Sequence, residues 1–501
     1  MKKILLCILL LAVSAGARTM WVRVYYDTEE ARVQLLANDF DLLTGSAQNR
    51  YFEYFLDEKT AYDVQAQGYI VNILHPDITT FLNETYGNLR MNFGEYYTYD
   101  EMVQEIETIS ALYPALTHLT SIGQTWQGRD IWAVKVSDNA GMTEAEPRVL
   151  ISGAHHAREP IGCSIAIDNM YWLLDNYGAN DTATAIVNNS ETWFVPVVNP
   201  DGYVFNETYD DPWGWRKNCR DNNNSGQMEP EFDGVDPNRN YGYMWGYNNV
   251  GSSPDPTHGA YRGPEAFSEP ETQAMRELCD SAEFIYAVNY HAYGNILIVP
   301  WGYIDSWVPS PDSEEYYAMA ESMTTYIGVP NNYVFGTGMG TLGYETNGTS
   351  DDWMYGEQVE KPKCFAFSPE VGSSFWQAAT DTNIIVNQCN DARPMNIFLE
   401  YRAALLGIEE TEAVSISNLS VWPNPVHDRA ILRFDLDWHV RLAVHLYDIT
   451  GRLIYARTAE YGPGIHELYL DTRRLSSGVY VLRISQGEQT ILKEKVVIIR
   501  G

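Results

Sequence analysis

Three absences narrow the reading of this sequence. Beyond the first residues, no run approaches the roughly 20 apolar residues that a helix needs to cross a bilayer, so no transmembrane segment is expected. The His-Glu-x-x-His pattern of helical zinc peptidases does not occur, and neither does Cys-x-x-Cys, which excludes a zinc knuckle. Basic residues are scarce: 33 Lys and Arg stand against 67 Asp and Glu, a formal net charge of −34 over 501 residues. With no basic patch either, the chain carries no footprint for nucleic acid, and its acidity suits a soluble protein in an extracellular setting.

Cysteine is also thinly spread. Cys7 lies in the first segment, and Cys163, Cys219, Cys279, Cys364 and Cys389 are odd in number and far apart. Export permits one or two disulfides among them; buried free thiols are the equal alternative, and spacing does not decide.

What is present begins with an address. Lys2 and Lys3 precede the apolar run Ile4 to Val13, and Ala15-Gly16-Ala17 has the small-x-small form cut by a signal peptidase. Residues 1–17 therefore read as a signal peptide, and the mature chain as secreted or held at the outer cell surface. At this length two or three domains are expected. In residues 18–90, strands Val22 to Tyr26 and Tyr69 to Leu74 flank helical stretches Thr28 to Ala37 and Glu58 to Gln67, a small α/β pro-segment or accessory domain. The alternative is a first layer of the main domain.

Residues 91–408 alternate apolar strands with amphipathic helices, the pattern of an α/β domain whose mixed sheet carries helices on both faces. Strands are expected at Val149 to Gly153, Thr192 to Val198 (stopped by a turn at Asn199-Pro200-Asp201-Gly202), Phe284 to Tyr290 and Cys364 to Ser368. Helices are expected at Tyr99 to Leu112, Ile161 to Tyr177, Ser268 to Ser281 and Asp381 to Leu406. Residues 409–413 form an acidic linker, and from 414 to 501 period-two alternation with regular turn signals predicts a β-sandwich. His427, His439, His445 and His466 of that last domain have no metal spacing.

The chemistry centres on Gly-Ala-His-His-Ala-Arg-Glu-Pro, residues 153–160, where a His and Glu159 could grip a divalent metal from a turn. Either His155 or His156 could serve. His291, ending an apolar strand that can aim it, is the best third ligand. Two imidazoles and one carboxylate leave the fourth position of a zinc ion open for water, the arrangement of catalytic zinc. These residues and Glu370 fall just past strand ends, where open α/β sheets place their ligand crevice.

Six motifs then occur in order: His156-Ala157-Arg158-Glu159, Trp215-Arg216-Lys217-Asn218, Asp236-Pro237-Asn238-Arg239-Asn240, His291-Ala292-Tyr293, Tyr344 with Asp351-Asp352-Trp353, and Glu370. Over residues 95 to 406 the chain resembles the zinc carboxypeptidase A/B family in its bacterial secreted, carboxypeptidase T-like branch. The resemblance implies one catalytic zinc on His156, Glu159 and His291, selecting His156 over His155. It implies Glu370 as general base, Arg216 as the cation that polarises the scissile carbonyl, Asn238 and Arg239 as the grip on the substrate's terminal carboxylate, and Tyr344 as the tyrosine that closes over it. The substrate would be a peptide or protein C-terminus. Asp351 matches the pocket-floor aspartate of the branch that removes Lys and Arg, with Gly302 leaving that pocket open, so a basic or mixed basic/apolar preference is expected. Otherwise Asp351 pairs with a local Arg or Lys, or joins Asp352 at a calcium site, which the sequence does not reveal.

Two departures stand out. Where animal members carry a further arginine three residues before the one matching Arg216, this chain has Trp213, implying different extended substrate contacts; Lys361-Pro362-Lys363 reads as an inserted loop. Two other readings stay open: a cell-wall peptide amidase on the same fold, and an inactive surface binding protein that holds no zinc. The C-terminal domain, through Trp422-Pro423-Asn424-Pro425, Tyr447-Asp448-Ile449-Thr450-Gly451-Arg452, Pro463-Gly464 and Leu475-Ser476-Ser477-Gly478-Val479-Tyr480, resembles the type IX secretion sorting domain. That implies bacterial secretion machinery as its partner; an accessory immunoglobulin-like module is the alternative.

Overall fold

The computed structural model describes residues 19–38, 40–77, 93–209, 211, 213–326, 333–376, 381–410, 417–436, 440–448, 452–486 and 489–500. The signal-peptide reading of 1–17, residues 411–413 of the expected linker, and His439 lie outside the described residues. Contacts divide the chain into two compact units, Met1–Leu405 and Leu406–Gly501.

The first unit opens with an antiparallel sheet in the order β2-β3-β1-β4, from β1 (Thr19–Tyr25), β2 (Asp41–Ser46), β3 (Tyr51–Asp57) and β4 (Ile70–His75). Its two helices are capped by side chains: Thr28 accepts from Ala31 N ahead of Glu29–Leu36, and Asp57 accepts from Thr60 N ahead of Glu58–Ala66. The hairpin β2-β3 escapes a reading by alternation, for a physical reason. Along β3, Phe52, Tyr54 and Leu56 fill a local core while Phe55 joins the large core of the main sheet, so burial on both faces erases the period of two.

The main sheet has eight strands in the order β11-β10-β12-β9-β7-β8-β6-β5. They are β5 (Thr117–Gln124), β6 (Asp130–Val136), β7 (Arg148–Ser152), β8 (Glu191–Val195), β9 (Tyr286–Asn289), β10 (Ile296–Ile298), β11 (Val334–Gly336) and β12 (Phe365–Glu370). Parallel pairing runs through β8-β7-β9-β12 and β10-β11, and antiparallel pairing through β5-β6-β8 and β10-β12, so the sheet is mixed as expected. Successive residues of β7 feed opposite cores. Val149 and Ile151 pack with the helices Ile161–Asn176 and Thr382–Glu410, and Leu150 packs with Pro270–Ala282.

Two expectations need correction. The stop at Asn199-Pro200-Asp201-Gly202 is a helix start: Asn199 accepts from Gly202 N, and Pro200 opens the short helix Pro200–Phe205, where its missing N–H costs nothing. Glu409 and Glu410 belong to the closing helix, which runs Thr382–Glu410 rather than ending at Leu406. Of the two readings left open for the cysteines, the structure shows buried free thiols: Cys163, Cys219, Cys279, Cys364 and Cys389 are all free and buried.

The second unit holds β13 (Ser417–Trp422), β14 (Arg429–Leu436), β15 (Val440–Asp448), β16 (Leu453–Tyr461), β17 (Gly464–Asp471), β18 (Gly478–Gln486) and β19 (Gln489–Ile498). A three-stranded sheet, β13-β14-β17, and a four-stranded sheet, β16-β15-β18-β19, share one core of Leu432, Phe434, Val444, Leu446, Leu468 and Leu482, which makes it a sandwich. Here alternation reads true because each sheet is buried on one face only. Phe434→Ala at the centre of that core is expected to cost about 3–5 kcal/mol, measured as a lower denaturant midpoint for the loss of sandwich circular dichroism.

Candidate active site

The loop 153–160 leaves the end of β7 and returns at once into the helix Ile161–Asn176. The reversal is possible because two glycines touch: a Cβ on Gly153 would meet Gly162 backbone at 2.5 Å, and one on Gly162 would meet Gly153 Cα at 2.9 Å. The backbone bond from Glu159 N to His156 O at 3.1 Å closes the turn, which puts the two side chains on one side. His291 arrives from β9 and is fixed against β12. It donates its N–H to Pro369 O, and its own carbonyl accepts from Val371 N, both at 2.9 Å. That ladder sets Glu370 beside His291.

Three donor groups converge there. His156 Nδ1 lies 2.8 Å from Glu159 Oε1, His291 Nδ1 lies 2.9 Å from Glu159 Oε2, and the two Nδ1 atoms are 3.1 Å apart. All three side chains are buried. With metal–ligand bonds of about 2.0–2.2 Å, neighbouring ligands of a tetrahedral ion stand roughly 3.3 Å apart, so these donors fit one face of such a site. Their protonation is shifted unevenly: burial alone would lower the His291 imidazole, but the hydrogen bond and charge of Glu159 raise it above its usual value. Burial alone would raise the Glu159 carboxyl, but His156 and His291 pull it well below the usual carboxylate range; burial pushes the His156 imidazole down toward its neutral, ligating form. His155 is turned away, with Nε2 2.9 Å from Tyr241 Oη.

Asp236 underlies the group and was not singled out by the sequence. Its Oδ2 accepts from Arg216 Nε at 3.0 Å and Nη2 at 2.8 Å, and its Oδ1 accepts from Asn238 N at 2.9 Å. Oδ1 also stands 3.2 Å from His156 Nε2, in ion-pair range though off the line of a good hydrogen bond. The available signal was Asp-Pro-Asn, an N-cap followed by proline at the first helical position, and Asp236 does cap the single turn Pro237–Arg239. Burial would raise its carboxyl, but Arg216, His156 and Arg239 hold it well below the ordinary value.

The remaining expected residues line the same cavity: Arg216, Asn238, Arg239, Tyr344, Asp351 and Glu370. Asn238 Nδ2 is 3.2 Å from His291 Nε2, and its Oδ1 accepts from Ser350 N. Arg239 is buried, donates from Nη1 to Asn238 O, and forms no ion pair among the described residues; its Nε has no partner among them. Burial, with Glu159 next, raises the Glu370 carboxyl, opposed by His291, Arg216 and Arg239. Burial pushes the Tyr344 phenol up to about 12. Asp351 and Asp352 open the helix Ser350–Gly356. Asp352 accepts from Gly302 N and Tyr303 N, whereas Asp351 has no ion-pair partner among the described residues, so its pairing with a local Arg or Lys is not seen. At Gly302 a Cβ would meet Thr346 Oγ1 at 2.4 Å; Thr346 lines the cavity and Gly302 itself does not. No described cluster joins Asp351 to Asp352 as a cation site. Lys361 in the expected inserted loop is buried and donates to Met354 O, Glu357 O and Pro362 O.

Comparisons with known proteins identify the family and the fold. The zinc carboxypeptidase family profile matches residues 102–388, and the profile of a secretion system C-terminal sorting domain matches residues 420–499. A zinc carboxypeptidase of Saccharothrix mutabilis subsp. capreolus is 28% identical over 314 residues, covering 61% of this chain and 69% of that protein. Carboxypeptidase B of Astacus astacus is 29% identical over 275 residues, covering 53% and 84%. In fold, the crystal structure of carboxypeptidase A from Helicoverpa armigera superposes with a TM-score of 0.67 at 19% identity, covering 79% of this chain and 99% of that one.

The Arg216–Asp236 pair supplies a test of the site's foundation. Removing one partner of a buried pair typically costs about 3–5 kcal/mol, so Asp236→Asn is expected to lower stability by that order near neutral pH. The folded carboxyl titrates below its unfolded value of about 3.9. Its contribution is therefore complete above that pH and is lost as pH falls toward the folded value, so the gap between wild type and variant in denaturant titrations should close below about pH 4.

Proposed function

Because the chain belongs to the zinc carboxypeptidase family and is a zinc-dependent metallocarboxypeptidase, we propose that it removes single C-terminal residues from peptides outside the cell, with His156, Glu159 and His291 holding the metal. The observation that carries the exopeptidase reading is Arg239, a buried guanidinium with no ion pair among the described residues, in the same cavity as the metal-type cluster. A buried cation needs an anion, and a planar guanidinium meets a carboxylate bidentately. A peptide's terminal carboxylate supplies that charge; Asn238 and Tyr344 flank it. The same requirement weighs against a cell-wall amidase whose substrate lacks a free terminus at that point.

Bound zinc supplies Lewis acidity and brings the pKa of its water from 15.7 toward about 7. Glu370 Oε receives a proton from the attacking water and returns it to the leaving amine, for which a carboxyl raised by burial is suited. Arg216, steadied by Asp236, presents N–H donors to the developing oxyanion. Asp351, lining the cavity without an ion partner among the described residues, favours a Lys or Arg terminal side chain. Residues 18–90 act as a pro-segment, a reading supported by Leu43 and Thr44 of β2, which line the cavity. The C-terminal unit is a secretion sorting domain; with residues 1–17 as signal peptide, it sends the chain across both membranes of its host, and it is removed or used for surface attachment there.

Glu370→Gln is expected to keep stoichiometric zinc by metal analysis and to lose roughly 10²–10⁴-fold in kcat, while His291→Ala loses the metal. A protein that releases no residue from peptides ending in Lys, Arg, Leu or Phe, once residues 18–90 are cut away, would refute the reading. For specificity, Asp351→Ala is expected to lower kcat/KM on Lys-terminated peptides by more than 10-fold while Leu-terminated peptides gain relative to them; equal losses on both would remove Asp351 from the pocket.

A further inference from the structure

Asn218 closes the motif Trp215-Arg216-Lys217-Asn218, yet it is fully buried and lines no part of the cavity that holds Arg216. It clasps one neighbour twice. Asn218 N donates to Val235 O at 2.9 Å, and Asn218 Oδ1 accepts from Val235 N at 2.8 Å and from Arg220 N at 3.3 Å. Val235 is buried as well, so the side-chain carbonyl stands in for the backbone acceptor that a sheet would offer to its N–H. Both partners of the clasp adjoin the site: Arg216 lies two residues before Asn218, Asp236 lies one after Val235, and their side chains meet at 2.8 and 3.0 Å. Arg216 O accepts from Ala157 N at 3.0 Å, which ties the same segment to the loop of His156 and Glu159. A slip of Val235 along Asn218 would carry Asp236 off the guanidinium and leave a buried carboxylate without its partner.

What fixes the amide lies on its other side. Asn218 Nδ2 donates to Glu269 Oε2 at 2.8 Å and to Glu271 Oε2 at 3.0 Å, and both glutamates are fully buried. Two acceptor oxygens there turn the NH2 toward themselves, which leaves the carbonyl facing Val235. Glu269 has further donors in Trp126 Nε1 at 2.9 Å and Arg220 Nη1 at 2.8 Å. Glu271 has fewer: Asn218 is its one side-chain donor among the described residues, and its Oε1 has no partner among them. Burial, with the charge of Glu269 next, raises the Glu271 carboxyl to about 8. A neutral amide between two buried carboxyls is therefore tolerated where a third carboxyl would not be.

We propose that Asn218 is a positioning residue for the hydrolysis: through its clasp on Val235 it sets Asp236 against Arg216, and so holds the guanidinium where its N–H groups meet the developing oxyanion. Glu271 is the buried counterpart that keeps the amide the right way round. The proposal rests on the carboxypeptidase reading above and on the part given there to Arg216; it adds to them a residue outside the cavity lining.

The test uses the full chain, folded intact and then freed of residues 18–90, with a peptide ending in Lys as substrate. Asn218→Asp keeps an acceptor for Val235 but sets a third carboxyl against Glu269 and Glu271; Asn218→Asp with Glu271→Gln returns an amide to the pair, with the donor now on the other partner. Loss of one oxyanion donor lowers kcat by roughly 10²–10³-fold. A displaced Arg216 is therefore expected to cost about 10-fold in kcat in Asn218→Asp, with KM within about twofold and zinc content unchanged, and the double variant to regain most of the loss. In an Arg216→Ala background Asn218→Asp should lower kcat no further, because the group it acts through is gone. If Asn218→Asp does not fold, Asn218→Ala, which adds no charge, replaces it in that last comparison. Wild-type kcat in a folded Asn218 variant, or an equal loss with and without the Arg216 side chain, overturns the positioning role. A double variant no faster than Asn218→Asp overturns the pairing with Glu271. Wild-type kcat in Arg216→Ala overturns the part given to Arg216 and the proposal with it, and a wild-type protein that releases no Lys overturns the carboxypeptidase reading itself.

Discussion

A single buried carboxylate, Asp236, is the constraint on which the rest of the site depends. It faces two groups that would otherwise be adrift in a dry interior: the Arg216 guanidinium, bound through two N–H groups, and the outer nitrogen of His156. It also caps the turn that delivers Asn238 and Arg239. Taken singly, each burial is costly, since a charge out of water is tolerated only with its opposite beside it. Taken together they close: the carboxylate neutralises the Arg216 guanidinium, stands beside the imidazole, and pins the backbone of Asn238. One anion thus couples the metal-type cluster to the Asn238-Arg239 turn.

Rigidity beneath this group comes from strand ends. The loop with His156 and Glu159 leaves β7, His291 follows β9, and Glu370 closes β12, three strands that are neighbours in the sheet. Because β7, β9 and β12 are parallel, their carboxyl ends share one edge, and side chains from segments far apart in sequence meet with no long loop to hold. The backbone bonds between His291 and the Pro369–Val371 stretch lock two of these ends to each other. The His291 imidazole and the Glu370 carboxylate are thereby held side by side.

Much of this was legible in the chain itself, and what was not has physical causes. The metal cluster could be named because few residue types bind zinc, and Arg216 and the Asn238-Arg239 pair because they stand in the order of the motifs that carry the family resemblance; the structure brings them into one cavity. The choice between His155 and His156 was not legible from spacing, because both follow the same strand; only the fold shows His155 taken up by Tyr241. β2 and β3 were hidden because β3 is buried on both faces, and the edge strands β10 and β11 because three residues each give no pattern. Asp236 was hidden for another reason: a capping aspartate before proline looks local, and nothing in its neighbours says that it also serves Arg216, which lies 20 residues earlier.

The cavity lining is mixed, and this bears on what it can hold. Arg239, Asn238, Asp351 and Glu370 answer charge, and Phe375 and Tyr293 answer apolar surface. A peptide C-terminus offers the same mixture, with a carboxylate at the tip and side chains of mixed character behind it. A substrate entering backward would set its ammonium group against the unpaired guanidinium of Arg239, a like-charge contact in a desolvated pocket. The segment beginning at residue 18 touches both kinds of group: Phe55 and Trp21 pack on Trp213, Leu43 lines the cavity, and Glu53 accepts from Arg23 and Trp21 of the segment and from Tyr293 of the main domain. Its described side chains form no ion pair with Arg239 or Asp351, so neither charge of the cavity is taken up by that segment.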